Sequence, residues 1–331
     1  MNTSRYEIIR PLGSGNFTLG VFLATHKDLG REVAVKLLEV ARLSDRERLL
    51  DEAKKMAALE THDNVVQVLD AGDWESDKVF IASEACLDGS LAALCATMPL
   101  GLDPATACQL ISDSCRGLDH MHRRGLLHLD IRPANILLAG GTPKLCDFGL
   151  ARWIGQGAVP FVYEAHSAPE LIRGEPGTEA SDQYAMALSL AHLLSSSATC
   201  VVPPKPVTAR AWKAHPDLSG LPANVPVSLS RVITRATRFK SAERYGSIER
   251  FKRALDRATP STSLRVVTPG EMRSDDGEWN VQHLQAAKGH AVEVRRNNRR
   301  INRVCETGLT TSEAERAIRR HVKQLADGNM L

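Results

Sequence analysis

The sequence predicts an α+β protein of two unequal lobes, a small β-rich one with a single helix and a larger, mostly α-helical one, followed by a C-terminal extension. Three observations carry that reading. Residues 1–83 mix short alternating segments with one helical pattern, residues 84–258 are dominated by helical periodicity, and no internal repeat interrupts the progression. The extension, 259–331, opens on a Pro/Ser/Thr-rich stretch. A chain of 331 residues is long enough to bury a core in each lobe.

Composition narrows the class. No stretch approaches the roughly 20 uncharged apolar residues that span a bilayer, and Met1 to Arg10 lacks the apolar run of a secretory signal, so the cytoplasm is expected. The seven cysteines form no CxxC pair and no zinc-spaced cluster, which favours reduced thiols over disulfides or metal ligands. The net charge of +3 is too small to imply nucleic-acid or membrane binding. All of it sits in the extension, so any basic partner surface belongs there.

In the small lobe, Val33 to Leu38 alternate as a strand, with Val33, Val35 and Leu37 on one face and Ala34, Lys36 and Leu38 on the other. Lys36 thus shares a face with apolar groups. Ser44 with Glu47 three residues on has the capping-box pattern of a helix start, and Leu49, Ala53, Met56 and Leu59 or Glu60 form its inward stripe. Glu52 lies on that stripe, where a carboxylate is expensive to desolvate without a cation, and Lys36 is the nearest candidate.

In the large lobe, Asp103 and Pro104 form an N-cap and first-turn pair. Ala107, Leu110, Ile111, Ser114, Leu118 and Met121 follow at helical spacing, and Gly125 is the stop. Ile136 to Leu138 and Lys144 to Cys146 flank Gly140 and Gly141 as a hairpin would. Polar sequences rich in Asp and Asn lie on either side of it.

Six segments in order now define a resemblance: LGSGNFTLGVFLA (12–24), VAVK (33–36), HLDIRPANILL (128–138), CDFGL (146–150), SAPE (167–170) and SDQYAMAL (181–188). Over roughly residues 5–258 the chain resembles the eukaryotic-type protein kinases, whose bacterial branch is called Hanks-type, and within them the serine/threonine kinases. The resemblance implies a bilobal protein kinase fold and transfer of the γ-phosphoryl group of ATP, with Mg²⁺, to a protein hydroxyl. Such transfer asks a protein mainly for positioning and charge neutralisation, and each segment answers one need. Gly13 and Gly15 would let backbone N–H groups approach phosphate oxygens. Lys36 matches the lysine on the α- and β-phosphates and Glu52 its helix partner, with Glu47 the rival carboxylate. Asp130 matches the aspartate that orients the acceptor and takes its proton. Asn135 and Asp147 match the magnesium ligands, and hard oxygen donors suit that cation. Ala34, Ser83, Glu84 and Cys86 complete the nucleotide side, with Glu84 to Cys86 at the adenine-facing hinge and Ser83 at the gatekeeper position. A small side chain at Ser83 leaves the pocket behind adenine open to bulky groups.

Departures from the family pattern are as informative. Thr18 stands at the third glycine, and one extra residue separates Phe17 from Ala24. Leu129 replaces the arginine that reads out a phosphorylated activation loop, which makes the chain resemble a non-RD kinase independent of that switch. Arg132 replaces the family lysine two residues after the catalytic aspartate, keeping the charge near the γ-phosphate but as a planar fork. Between Asp147 and Glu170 there is no threonine. Tyr163 takes the place of the family threonine and His166 that of an aromatic. Glu170, Asp182 and Arg244 match structural positions, Arg244 as the buried partner of Glu170 and Asp182 as the anchor of the catalytic loop.

In the extension, RRNNRR (295–300) is a basic segment, and Ser312 with Glu315 signals a helix carrying Ala314, Ile318, Val322 and Leu325 on a narrow stripe. It reads as a helix packed on the kinase's own surface, with a docking or regulatory partner as the alternative. A protein substrate is the expected partner, with no membrane and no nucleic acid. A pseudokinase scaffold, or a kinase with a tyrosine or small-molecule acceptor, is the alternative to a serine/threonine kinase. Substrate, activating signal and oligomeric state are not legible.

Overall fold

The computed structural model describes residues 5–13, 19–40, 43–75, 77–159, 162–195, 218, 221–268 and 270–327. Its small lobe is a five-stranded antiparallel sheet of β1 (Tyr6–Gly13), β2 (Gly20–His26), β3 (Arg31–Glu39), β4 (Val68–Glu75) and β5 (Lys78–Glu84), ordered β1-β2-β3-β5-β4. The helix α1 (Leu43–Ala58) connects β3 to β4. Period-two alternation decides which side chains enter the core. Val33, Val35 and Leu37 are buried with Tyr6, Ala24, Phe80 and Ala82, while Ala34 and Lys36 stay half-buried on the opposite face. Helix α1 lays Ala53, with Leu38 and Ile81, over that second face. Met56 and Leu59 continue its stripe into the large lobe, and Glu60 is exposed. Ser44, expected to cap this helix, falls inside it; the side chains of Ser44 and Leu49 lie outside the described residues.

The large lobe is built on α2 (Leu91–Thr97) and α3 (Pro104–Arg123), then β6 (Leu126–Leu127), β7 (Ile136–Ala139), β8 (Thr142–Leu145) and β9 (Arg152–Trp153). The helices α4 (Pro169–Ile172), α5 (Glu179–Ser195), α6 (Val227–Ala236) and α7 (Ile248–Ala258) complete it. Asp103 caps α3 by accepting from the Thr106 N–H at 3.0 Å, and Pro104 occupies the first turn, where its missing N–H costs nothing. The β7–β8 hairpin turns through Gly140 and Gly141 at φ of 57° and 77°, the left-handed pair that a tight two-residue turn requires. Ile111, Leu118 and Met121 of α3 meet Leu190 of α5 and Phe251 of α7 in one continuous core.

The extension departs from its sequence reading. The Pro/Ser/Thr-rich stretch at its start, whose composition suits a linker, instead contains β10 (Leu264–Thr268). It pairs with β11 (Glu271–Ser274), β12 (Trp279–Gln285), β13 (His290–Arg296), β14 (Arg299–Arg300) and β15 (Glu306–Leu309) in a six-stranded antiparallel sheet. RRNNRR is the hairpin between β13 and β14, with Asn297 and Asn298 at φ of 49° and 62°. The final helix α8 (Thr311–Ala326) starts two residues earlier than the sequence suggested, since Thr310 and Glu313 form the capping box. Its stripe lies mainly on the extension's own sheet, with Ala223 of the large lobe at the edge of the cluster. Ala314, Ile318, Val322 and Leu325 pack on Trp279, Val281, Val292 and Val294 of the extension's own sheet.

The six cysteines among the described residues form no disulfide with one another, and Cys200 lies outside them. No helix among the described residues is long and apolar enough to cross a membrane.

Candidate active site

The cleft between the lobes is organised by Lys36. Strand alternation turns its side chain away from the small-lobe core, and its Nζ lies 2.9 Å from Glu52 Oε1 and 3.0 Å from Asp147 Oδ1. Glu52 is only 6% exposed; burial pushes its pKa up, opposed by Lys36. Burial alone would lower the pKa of Lys36, but the two carboxylates outweigh it and hold the ammonium well above its ordinary value. Burial likewise works against the Asp147 carboxylate, and the charge and hydrogen bond of Lys36 overcome it, keeping the pKa below the usual range. The rival Glu47 is exposed. The three groups form one charged bridge from β3 through α1 to the loop after β8.

Across the cleft, the loop after β6 carries Asp130. Asn135 Nδ2 donates to Asp130 Oδ2 at 2.7 Å and to its carbonyl at 2.8 Å. The other carboxylate oxygen, Oδ1, lies 3.5 Å from Arg132 Nε. Burial raises the pKa of Asp130, with the charge of Arg132 pulling against it. This loop holds an unfavourable backbone. Leu129 has φ of 62°, which costs a residue with a Cβ about 1 kcal/mol. The fully buried Asp182 of α5 compensates, accepting from the N–H groups of His128 at 2.9 Å and Leu129 at 2.7 Å, and pairing with His122 Nε2 at 2.9 Å. His128 Nε2 in turn contacts the carbonyl of Cys146 at 3.0 Å, tying the Asp130 loop to the Asp147 loop.

At the hinge, Ala34 pairs with Ser83 across β3 and β5. Glu84 Oε1 accepts from the Gln67 N–H at 2.8 Å and from Lys144 Nζ at 3.0 Å, which holds its side chain toward β4 and β8. The Cys86 thiol is pushed up to about 11 by burial, which makes it a packing group and a poor nucleophile. Gly13 ends β1 with open space where a Cβ would stand, whereas Gly15 and Thr18 lie outside the described residues. Gly20, displaced by one position by the extra residue between Phe17 and Ala24, tolerates no Cβ. Its φ is 148°, and a Cβ would come within 2.9 Å of the Phe22 ring. If Ser83 borders the adenine pocket, Ser83→Met will weaken a bulky adenine-competitive inhibitor by roughly tenfold or more, since overfilling a packed site costs about 1–3 kcal/mol. Unchanged inhibition constants would remove Ser83 from that position.

Two features escaped sequence reasoning. Arg132 and Tyr163, each a departure from the family pattern, touch: Arg132 Cζ sits 4.6 Å from the Tyr163 ring centroid. Leu129 is absorbed into an apolar cluster with Val159, Leu171 and Leu188. Neither contact has a local sequence signal, because the partners are brought together only by the path of the loop.

His166, beneath Tyr163, is 4% exposed, and burial, His192 and Arg132 push its pKa down to about 3. The fold therefore rejects a proton that the unfolded chain accepts near pH 6.5. The stability tied to this neutral ring is complete above pH 6.5 and declines as pH falls below it, by about 1.4 kcal/mol at pH 5.5. Melting temperatures between pH 7.5 and 5.5 should fall less for His166→Phe than for wild type. Parallel curves would remove His166 as the source.

The comparisons with known proteins decide the family. Residues 6–210, more than half of the chain, match the model of the protein kinase domain. The chain belongs to the protein kinase family. The serine/threonine-protein kinase PknF of Mycobacterium tuberculosis is 32% identical over 267 residues, covering 76% of this chain and 55% of its own length. The serine/threonine-protein kinase PrkC of Bacillus subtilis is 29% identical over 75% of this chain and 39% of its own length. The chain spans about half or less of these longer relatives, which bear out the Hanks-type resemblance and the α+β kinase fold.

Proposed function

We propose that this chain transfers the γ-phosphoryl group of ATP to serine or threonine hydroxyls of proteins, itself included. The observation that carries the reading is the pairing of two prepared groups across one cleft. Lys36 is held by Glu52 and Asp147, and Asp130 is held by Asn135 with its second oxygen left beside Arg132. The acceptor oxygen would attack the γ-phosphorus while its proton passes to Asp130. The bond from the γ-phosphorus to the bridging oxygen breaks, and ADP carries away the electron pair. Lys36 would hold the non-reacting α- and β-phosphates, with its charge kept in place by two carboxylates. Ala34, Ser83 and the backbone of Glu84 to Cys86 would border adenine, and Gly13 and Gly15 the phosphates.

The donor set suits Mg²⁺. The Asp147 carboxylate is 42% exposed toward the cleft, and Asn135 commits its amide nitrogen to Asp130, leaving its oxygen as a ligand atom. Held by these two groups and the phosphates, Mg²⁺ would neutralise charge on the transferred group.

Control by the usual arginine switch is replaced, in this reading, by apolar packing. Leu129 is 4% exposed and packs with Val159 of the activation segment, an apolar contact in place of the arginine that would receive a phosphate. The named serine/threonine kinases among the relatives favour that acceptor class over tyrosine or a small molecule. A bilobal kinase over 1–83 and 84–258, with 259–331 as a separate unit, is supported by the extension's own apolar core. Cysteines without a disulfide among the described residues suit a reducing compartment such as the cytoplasm. Radiolabelled ATP with the full chain and a generic protein acceptor, followed by phosphoamino-acid analysis, tests the proposal. Label on serine or threonine in wild type and none with Asp130→Ala supports it; equal label in both, or none in either, overturns it.

A further inference from the structure

Two departures from the family pattern, 31 positions apart by residue number, meet in space: Arg132 in place of lysine and Tyr163 in place of threonine. The contact is part of a longer stack. The Tyr163 ring lies 6.0 Å from the His166 ring at an interplanar angle of 20°, and His166 lies 5.6 Å from the His192 ring of α5 at 19°. His192 Nδ1 approaches His166 Nε2 at 3.5 Å. The base of the stack is fixed by backbone, since the Tyr163 carbonyl accepts from the His166 N–H at 3.2 Å and the Ser167 hydroxyl at 2.9 Å. At its top, Arg132 Nε is buried, has no hydrogen-bond partner among the described residues and lies 3.5 Å from Asp130 Oδ1.

We propose that the Tyr163–His166–His192 stack is a positioning device, built for an arginine, that holds Arg132 beside Asp130 while the phosphoryl group is transferred. The proposal rests on the function proposed above. A lysine ammonium is a compact charge that needs point partners, whereas a guanidinium is planar and is held by an aromatic face. The ion-pair partner of Arg132 among the described residues is Asp130, the group that must stay available to the acceptor hydroxyl. An aromatic face orients the cation without competing for Asp130. Stacking on His166 and His192 then ties that face to the helix α5, so the position of Arg132 is set by the large-lobe core. Tyr163 and His166 touch no reacting atom in this scheme. They act through Arg132, and the two departures compensate each other.

A double-mutant cycle on the full chain tests the pairing. Tyr163→Phe keeps the ring and should hold kcat within about twofold of wild type, while Tyr163→Thr should lower kcat by about tenfold and change KM for ATP by less than about threefold. Arg132→Lys should lose a similar factor. The double variant Arg132→Lys/Tyr163→Thr, which restores the family pair, should exceed the product of the single effects by about tenfold. In the protein without nucleotide, the Nε–Hε NMR signal that disappears in Arg132→Lys should be shifted upfield by the ring in wild type and Tyr163→Phe, and should move to the free-arginine position in Tyr163→Thr. Multiplicative single effects, an equal loss for Tyr163→Phe and Tyr163→Thr, or an Arg132 signal indifferent to residue 163 each overturn the proposal in an active enzyme. A wild type that transfers no phosphate sinks the proposed function itself, and the positioning role falls with it.

Discussion

Asp130→Ala is expected to lower kcat for phosphoryl transfer by about 10²–10⁴-fold, the span that a positioned proton acceptor contributes. KM for ATP should move by less than about threefold, because the proposed nucleotide contacts lie on Lys36 and the opposite face of the cleft. The reason is geometric before it is acidic. Asn135 pins Asp130 Oδ2 at 2.7 Å, so the carboxylate cannot rotate, and its Oδ1 faces the space beside Arg132. Burial raises the pKa of Asp130, with the charge of Arg132 pulling against it, and the net rise strengthens it as a base. Alanine removes the acceptor for the departing proton and also frees Asn135, so the loss should exceed that of Asp130→Asn, which keeps a hydrogen-bonding carbonyl. Single-turnover kinetics on both variants, with folding verified by melting temperature, make the comparison. A loss smaller than about tenfold in Asp130→Ala would mean that proton transfer to this residue is not part of the reaction.

How much of this arrangement was legible in the sequence depends on the range of each interaction. The Lys36–Glu52 pair was suggested by two local periodicities, an alternating strand and a helix with a charged residue on its apolar stripe, and was singled out by the family resemblance. The α3 cap and the β7–β8 turn were readable locally, since Asp103, Pro104, Gly140 and Gly141 satisfy backbone demands within a few residues. The extension was not. Its strands are short and half polar, and only a sheet of six of them buries Trp279, Val281, Val292 and Val294. The clue present was Asn297–Asn298 between paired arginines, a doublet suited to left-handed φ, which reads equally well as a solvated basic turn. The contact of Arg132 with Tyr163 had no local signal at all. It depends on Leu129 adopting a positive φ under the grip of Asp182, and on the course of the activation segment back over the catalytic loop.

Arg244→Ala should cost about 3–5 kcal/mol of unfolding free energy, the span observed when one partner of a buried ion pair is removed. A domain has only about 5–15 kcal/mol to lose. The side chain of Arg244 is fully buried, and its fork donates to Glu170 Oε1 at 2.7 Å and Oε2 at 2.8 Å. Its remaining donors reach the carbonyls of Ala180, Arg238 and Phe239, so one residue joins the end of the activation segment, the start of α5 and the turn after α6. The guanidinium also lies 4.9 Å from the centre of the Tyr184 ring. Truncation leaves Glu170 buried with the Ser181 hydroxyl, 2.8 Å away, as its remaining side-chain donor, and strands three carbonyls. The size of the loss should come from that abandoned carboxylate more than from the attraction destroyed. Removing both charges, as Glu170→Met/Arg244→Met, should therefore cost less than Arg244→Ala alone. Arg244→Lys should fall between them, since an ammonium cannot serve both carboxylate oxygens and three carbonyls from one position. Urea unfolding of the four proteins reads the order directly. A double variant as unstable as Arg244→Ala would show that the cost arises from lost packing around Tyr184 and not from the stranded charge.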